Sequence, residues 1–209
     1  IKMSTPILRL ALIICFSPLL PAQDISWGIR LSGGAPIGAL ANDDFGGTHN
    51  SFHTSNSIGV NLSYQIAKSD DIRAVINSTG FSGDSNRINP NLSVRNEYKF
   101  FQTGIEYCHY FNTRTQGWFA GAGINHTQLH RDFTAMEPSP FGGEWGSTFR
   151  YSQYRRFAYS LSGGYQIYRW LGIDGSFHSV SLDREQGGPL ALNNAKWVQI
   201  GVNFHFGRR

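Results

Sequence analysis

Four groups of residues in this chain of 209 have the types to do chemistry. His49 and His53 fall in one polar segment and Asp84–Ser85 in another. Acyl transfer needs a serine activated by a histidine base, so the set holds the right types. Such a set is recognised by geometry rather than composition, and these spacings fix none. Histidine, aspartate and serine are also ordinary in polar loops. His126 and His130 would share a face on a helix. On a strand they stand more than about 10 Å apart, too far for one metal ion. Arg150, Arg155 and Arg156 crowd into "RYSQYRR", and guanidinium groups suit bidentate phosphate contacts. A solvated strand extension would carry the same charges. Arg30, Arg73, Glu106 and Asp174 lie far apart in the chain, so whether they meet depends on the fold. No residue is assigned a catalytic or metal-binding role, and no cofactor is expected.

The elements that position these residues are strands. About eight segments alternate apolar and polar residues between turn signals. In the first, Ile25, Trp27, Ile29 and Leu31 oppose Ser26, Gly28, Arg30 and Ser32. In the second, Ile58, Val60, Leu62, Tyr64 and Ile66 oppose Gly59, Asn61, Ser63 and Gln65. The third, at 72–81, is less clean. The fourth sets Ile105 and Tyr107 against Gln102, Gly104, Glu106 and Cys108, and glycines blur the fifth, at 118–133. The sixth runs through Phe157, Tyr159, Leu161, Tyr165 and Ile167, and the seventh sets Leu171, Ile173 and Phe177 against Asp174, Ser176 and His178. The eighth, "WVQIGVNFHF", sets Val198, Ile200, Val202, Phe204 and Phe206 against Gln199, Gly201, Asn203 and His205.

Connections alternate long and short: 37–54, then 68–71, 83–95, 112–117, 132–148, 169–170 and 184–194. A sandwich gives no reason for all long loops to share one end. A bacterial outer-membrane barrel does, with short periplasmic turns and long extracellular loops. Charged residues are 15% of the chain and aromatics 14%. The usual charged share is about 25%, and a lipid-facing exterior does not need the difference. The net charge of +4 is spread out, which argues against a nucleic-acid partner. Residues 1–22 read as a cleaved signal peptide, with an apolar run too short to span a bilayer, leaving 23–209 as the barrel domain. Cys108 is then the lone cysteine, so no internal disulfide is expected.

Tyr64, Tyr107, Phe111, Trp118, Tyr168, Trp170, Trp197 and Phe206 are expected in a periplasmic aromatic girdle, with Phe81, Phe157 and Phe177 toward the other interface. The polar faces then fill a lumen: Arg30, Asn61, Gln65, Arg73, Asn77, Gln102, Glu106, Gln166, Asp174, Gln199 and Asn203. Eight strands leave room inside for side chains rather than a wide pore. Buried charges must be paired. Similar depth on their strands predicts an Arg30–Glu106 pair, with Arg73–Asp174 as a second.

In this pattern the chain resembles the small outer-membrane β-barrel superfamily, the OmpA-like transmembrane domain and OmpX-like barrels. The resemblance implies an eight-stranded antiparallel up-and-down barrel in a Gram-negative outer membrane. It also implies that the last strand (Val198, Ile200, Val202, Phe204, Phe206) is a signal read by the barrel assembly machinery after periplasmic chaperones deliver the chain. The tail Gly207–Arg208–Arg209 departs from a family that usually ends on the aromatic. Outer-membrane lipid and lipopolysaccharide are the implied partners, with Arg150, Arg155 and Arg156 as phosphate contacts. The expected role is structural, recognition or adhesion through the extracellular loops, the sequences around 125–133 and 147–157 staying strand-like as a protruding hairpin. A narrow porin-like channel is the alternative. A lipid A acyl-modifying enzyme is a weaker one, because the lumen carries Arg30, Glu106 and Asp174 where an acyl chain would need apolar walls. His130–Arg131–Asp132 beside Asp43–Asp44 is similar in type to residues of outer-membrane proteases, whose barrels have ten strands.

Overall fold

The computed structural model describes residues 25–45, 48–89, 91–138, 144–181 and 194–207, with side chains for these except 39, 42–45, 48–54, 84–89, 133, 138, 144–145 and 149–155. The expected signal peptide lies outside the described residues. Nine strands follow one another: β1 (Ile25–Ile37), β2 (Asn42–Phe45), β3 (Thr48–Ala67), β4 (Asp70–Asn89), β5 (Leu92–Tyr110), β6 (Gly117–Pro138), β7 (Glu144–Tyr168), β8 (Leu171–Ser181) and β9 (Asn194–Gly207). One 3-10 turn, Gly38–Leu40, follows β1. No helix among the described residues is long and apolar enough to cross a membrane.

Every strand pairs antiparallel with its neighbour, and β1 closes the ring by pairing with both β3 and β9. The ring therefore has eight strands, and β2 is an extra hairpin arm on the outer end of β3. From Trp27 the pairing passes through Leu62, Ala74, Ile105, Ile124, Tyr159, Ser179 and Lys196 to Ile37. One circuit thus returns to β1 ten residues further along. This stagger tilts the strands and fixes a narrow interior.

Period-two alternation decides the two faces. Ile58, Val60, Ile105, Ile124, Leu161, Ile173 and Ile200 point outward and are exposed. In water so continuous an apolar surface would be an aggregation patch; around a closed ring it is a lipid-facing band. Trp27, Tyr64, Tyr107, Phe111, Trp118, Tyr168, Trp170 and Phe206 are exposed near the short-turn ends, and Trp27 stacks on Phe206 at 4.4 Å. Phe157 is exposed toward the other end. Two expected girdle residues lie inside instead. Trp197 and Phe81 are fully buried. Trp197 shares parity with Gln199 and Asn203 and lies near the outer start of β9, so both its face and its end differ from the expectation. Phe81 shares parity with Arg73 and Thr79.

The strands also run further than the sequence suggests. Segments expected as loops at 83–95 and 132–148 are largely strand, because β4–β5 and β6–β7 remain paired far past the apolar band. A transmembrane strand needs about 9–11 residues; β6 has 22 and β7 has 25. The outer parts of β3 to β7 therefore form an extracellular sheet, while β1, β8 and β9 stop near the membrane.

Candidate functional site

The lumen is built in three layers. Its middle layer is polar. Arg73 on β4 and Glu106 on β5 are direct cross-strand partners, 3.6 Å apart. Arg73 also donates to Tyr110 Oη, and its guanidinium lies 5.2 Å from the Phe119 ring. Glu106 accepts from Ser162 Oγ. Arg30 on β1 pairs with Asp174 on β8, and it donates to Ser176 Oγ at 2.9 Å. Both pairings differ from the expected Arg30–Glu106 and Arg73–Asp174. Depth along a strand gives height but not position around the ring, and the β4–β5 register puts Glu106 directly beside Arg73. Asp174 faces Gly164 on β7 and Gly201 on β9. A Cβ on Gly164 would sit 2.9 Å from the Asp174 Cβ, so Asp174 packs directly against a position on β7 that glycine alone fits.

Around these pairs, Asn125 Nδ2 donates to Ser160 Oγ at 3.0 Å and Gln102 Nε2 to Thr127 Oγ1 at 3.3 Å. Gln199 Nε2 crosses from β9 to Thr79 Oγ1 on β4 at 3.0 Å, and Thr79 continues to Ser57. Asn203 and Gln166 are buried on the inner face, and Asn61, Gln65 and Asn77 half-buried. A cavity of about 50 Å³ lies between Arg30, Arg73, Asn77, Gln102, Glu106 and Asp174. Arg30 Nε, Arg73 Nε and Gln102 Oε1 have no protein hydrogen bond among the described residues. The space suits a few waters bonded to such groups.

The outer layer is apolar. Leu40, Phe81, Tyr98, Phe100, Leu129, Val180 and Trp197 form one fully buried cluster. Trp197 lies 4.7 Å from Phe100, 5.9 Å from Phe81, and stacks on His178 at 5.0 Å. Leu40 reaches it from the 3-10 turn after β1. The polar-lumen expectation missed this layer, whose only sequence signal is large apolar residues at inward parity near the outer strand ends.

The periplasmic layer is ionic. Arg114, in the turn between β5 and β6, pairs with Asp71 on β4 and donates to Gln65 on β3. Asp71 is fully buried and Arg114 nearly so. Nothing in "NTRTQG" marks Arg114 as inward, because turn residues carry no strand parity. The turn is shaped by Thr113, which accepts from Gln116 N–H at 3.1 Å, and by Gly117 at φ 140. Outside the barrel, Asp70 accepts from Tyr107 Oη at 2.5 Å and lies 2.8 Å from His109 Nδ1. The Tyr107 hydrogen bond, then that of His109, holds its carboxyl below the usual carboxylate range.

On the outward face of β5, charges begin above Phe101. Lys99 lies 2.6 Å from Asp132 and 3.3 Å from Glu97, and Arg95 lies 3.4 Å from Glu97. The Asp132 hydrogen bond is the main cause holding the Lys99 ammonium above the usual lysine range. Inward on the same sheet, Arg131 donates to Asn96 Oδ1 at 3.1 Å, over the Tyr98 ring. Arg150 and Arg155 are register partners of Asp132 and Gln128. Their side chains lie outside the described residues, as do those of His49, His53, Asp84 and Ser85; Arg156 is half-buried. Val198, Ile200, Val202, Phe204 and Phe206 all lie on the outward face of β9.

No family model matches the chain, and no curated protein matches it. Its shape is similar to the crystal structure of Ail, the attachment invasion locus protein of Yersinia pestis. The TM-score is 0.50 at 11% identity, covering 88% of this chain and 99% of Ail. Two further solved structures are Acinetobacter baumannii CarO2, with TM-score 0.47 at 12% identity over 88% and 100% of the chains, and Neisserial surface protein A, with 0.44 at 11% over 88% and 96%. Ring closure, lipid-facing band and the likeness to Ail agree: the chain is an eight-stranded barrel with the fold of the small outer-membrane β-barrels.

Proposed function

We propose that this barrel is a surface-recognition or adhesion protein of the bacterial outer membrane, acting through its extracellular sheet. One observation carries the reading. β8 joins β7 only from Ala158 inward, so among the described residues no strand pairs with the outer edge of β7 from Glu144 to Phe157. An unpaired edge offers a row of backbone donors and acceptors, and an extended segment of another protein can add to it as a strand. The opposite margin of the sheet is covered by β2. Ail, of similar shape, is named for attachment and invasion, which supports the reading. Lipid around the band, and lipopolysaccharide phosphates near Arg150, Arg155 and Arg156, are the proposed surroundings. Export by residues 1–22, delivery by periplasmic chaperones and insertion by the assembly machinery complete the proposal. The layered lumen favours neither an open channel nor an acyl-chain pocket.

Asp132 and Arg150 are register partners, so residues 133–149 can be replaced by Asn-Gly, a two-residue hairpin turn. The shortened protein is expected to keep its heat-dependent gel shift. Bacteria displaying it should lose the attachment to host cells or matrix that the full chain confers. Equal attachment by both would sink the reading.

A further inference from the structure

The periplasmic and outer closures of the lumen differ in chemistry, and they differ in what opening them would require. The outer closure is contributed by β4, β5, β6, β7, β8 and β9 together with Leu40. It is a packed core, and no single side chain holds it. The rim of the periplasmic closure is one side chain carried by a turn, set against a small buried cluster. Arg114 reaches from the β5–β6 turn to Asp71 and Gln65 on the two preceding strands. Beside it stands Cys108, the direct cross-strand partner of Asp71, in a buried cluster with Tyr110 and Phe119, and Phe119 in turn lines the cavity of about 50 Å³ between the two ion pairs.

We propose that the β5–β6 turn is a latch. Arg114 closes the periplasmic mouth of a blind polar chamber that is sealed toward the outside by the Leu40–Trp197 core. When the turn swings away, the chamber admits water and small cations from the periplasmic side only. The exposed Asp71 carboxylate favours the cations. The latch is held shut because an unpaired buried carboxylate is costly, and it can open because only a turn has to move.

Cys108 reports on the latch. The chain has two cysteines, so a Cys15→Ser background leaves Cys108 as the one thiol. In detergent micelles, the rate at which a small cationic methanethiosulfonate labels Cys108 measures access past Arg114. Arg114→Ala is expected to raise that rate by about tenfold or more, the factor that about 1.4 kcal/mol of lost latch stabilisation produces. Asp71→Asn, which keeps the volume, should do the same, and Arg114→Lys should fall between. Leu40→Ser should leave the rate unchanged. The heat-dependent gel shift confirms that each variant is folded, and Asp71→Asn carries the test if Arg114→Ala is not. An unchanged rate in the folded latch variants overturns the proposal. So does equal acceleration by Leu40→Ser, which would place the entrance at the outer end. In planar bilayers Arg114→Ala should remain non-conducting; steady single-channel currents would show that the outer closure is no seal.

Discussion

Asp174 reaches Arg30 across β9, where its own register partner is Gly201 and that of Arg30 is Asn203. Its side chain is 4% exposed and that of Arg30 18%, so removing either leaves a mostly buried charge. Asp174→Ala should cost about 3–5 kcal/mol, the range for breaking a buried pair. Glu106→Ala should cost less, since Arg73 keeps Tyr110 Oη. A double-mutant cycle on urea unfolding in lipid vesicles checks the pairing itself. Coupling between Arg30 and Asp174 should fall in the 0.5–3 kcal/mol range of contacting residues, and coupling between Arg30 and Glu106 below about 0.5. The reverse order would restore the pairing that depth alone suggests. All four charges were legible as inward-facing, since parity along a strand is readable. Which charge meets which was not, because partner choice depends on a stagger that no single strand encodes.

At the level of strands, the ladder on the outer face of β5 and β6 ties the extracellular sheet to the barrel. Lys99 bridges Glu97 and Asp132 just above Phe101. Its folded pKa is raised, so its contribution is fully present below the ordinary lysine value of 10.5 and is lost as pH climbs through the higher folded value. Nearly half the Lys99 side chain is exposed, and exposed pairs are worth about 0.2–1 kcal/mol. Lys99→Met should therefore flatten the alkaline limb above pH 10.5 without shifting stability near pH 7 by more than that amount. Thermal collapse of the folded gel band across pH 9 to 12 is the measurement, and an unchanged limb would remove Lys99 from the ladder. The eight transmembrane strands were readable from their alternation. The length of β6 and β7 was only partly so, since polar residues on both faces erase the period-two signal once a strand leaves lipid. Trp197 shows the converse: a lone ring near a strand end was assigned by residue type, although parity with Gln199 and Asn203 placed it inside.

The whole ring depends on the seam between its first and last strands. Trp27 and Phe206 are register partners there and stack on the lipid side. The outward residues of β9 thus serve two ends: they close the barrel in lipid, and in our proposal they are read during assembly. The two can be separated. An aromatic pair contributes about 0.5–1.5 kcal/mol beyond its buried area, so if the ring acts only at the seam, Phe206→Ala costs a modest amount wherever the protein folds. Purified Phe206→Ala refolding into lipid vesicles should then keep most of its yield and lose stability on that scale. If the ring is also read by the assembly machinery, the folded amount in the outer membrane of cells should fall severalfold while the vesicle yield holds. We expect the second pattern, because Val198, Ile200, Val202 and Phe204 still close the seam by pairing with β1 when the ring is gone. Equal losses in vesicles and cells would return Phe206 to a seam residue and nothing more.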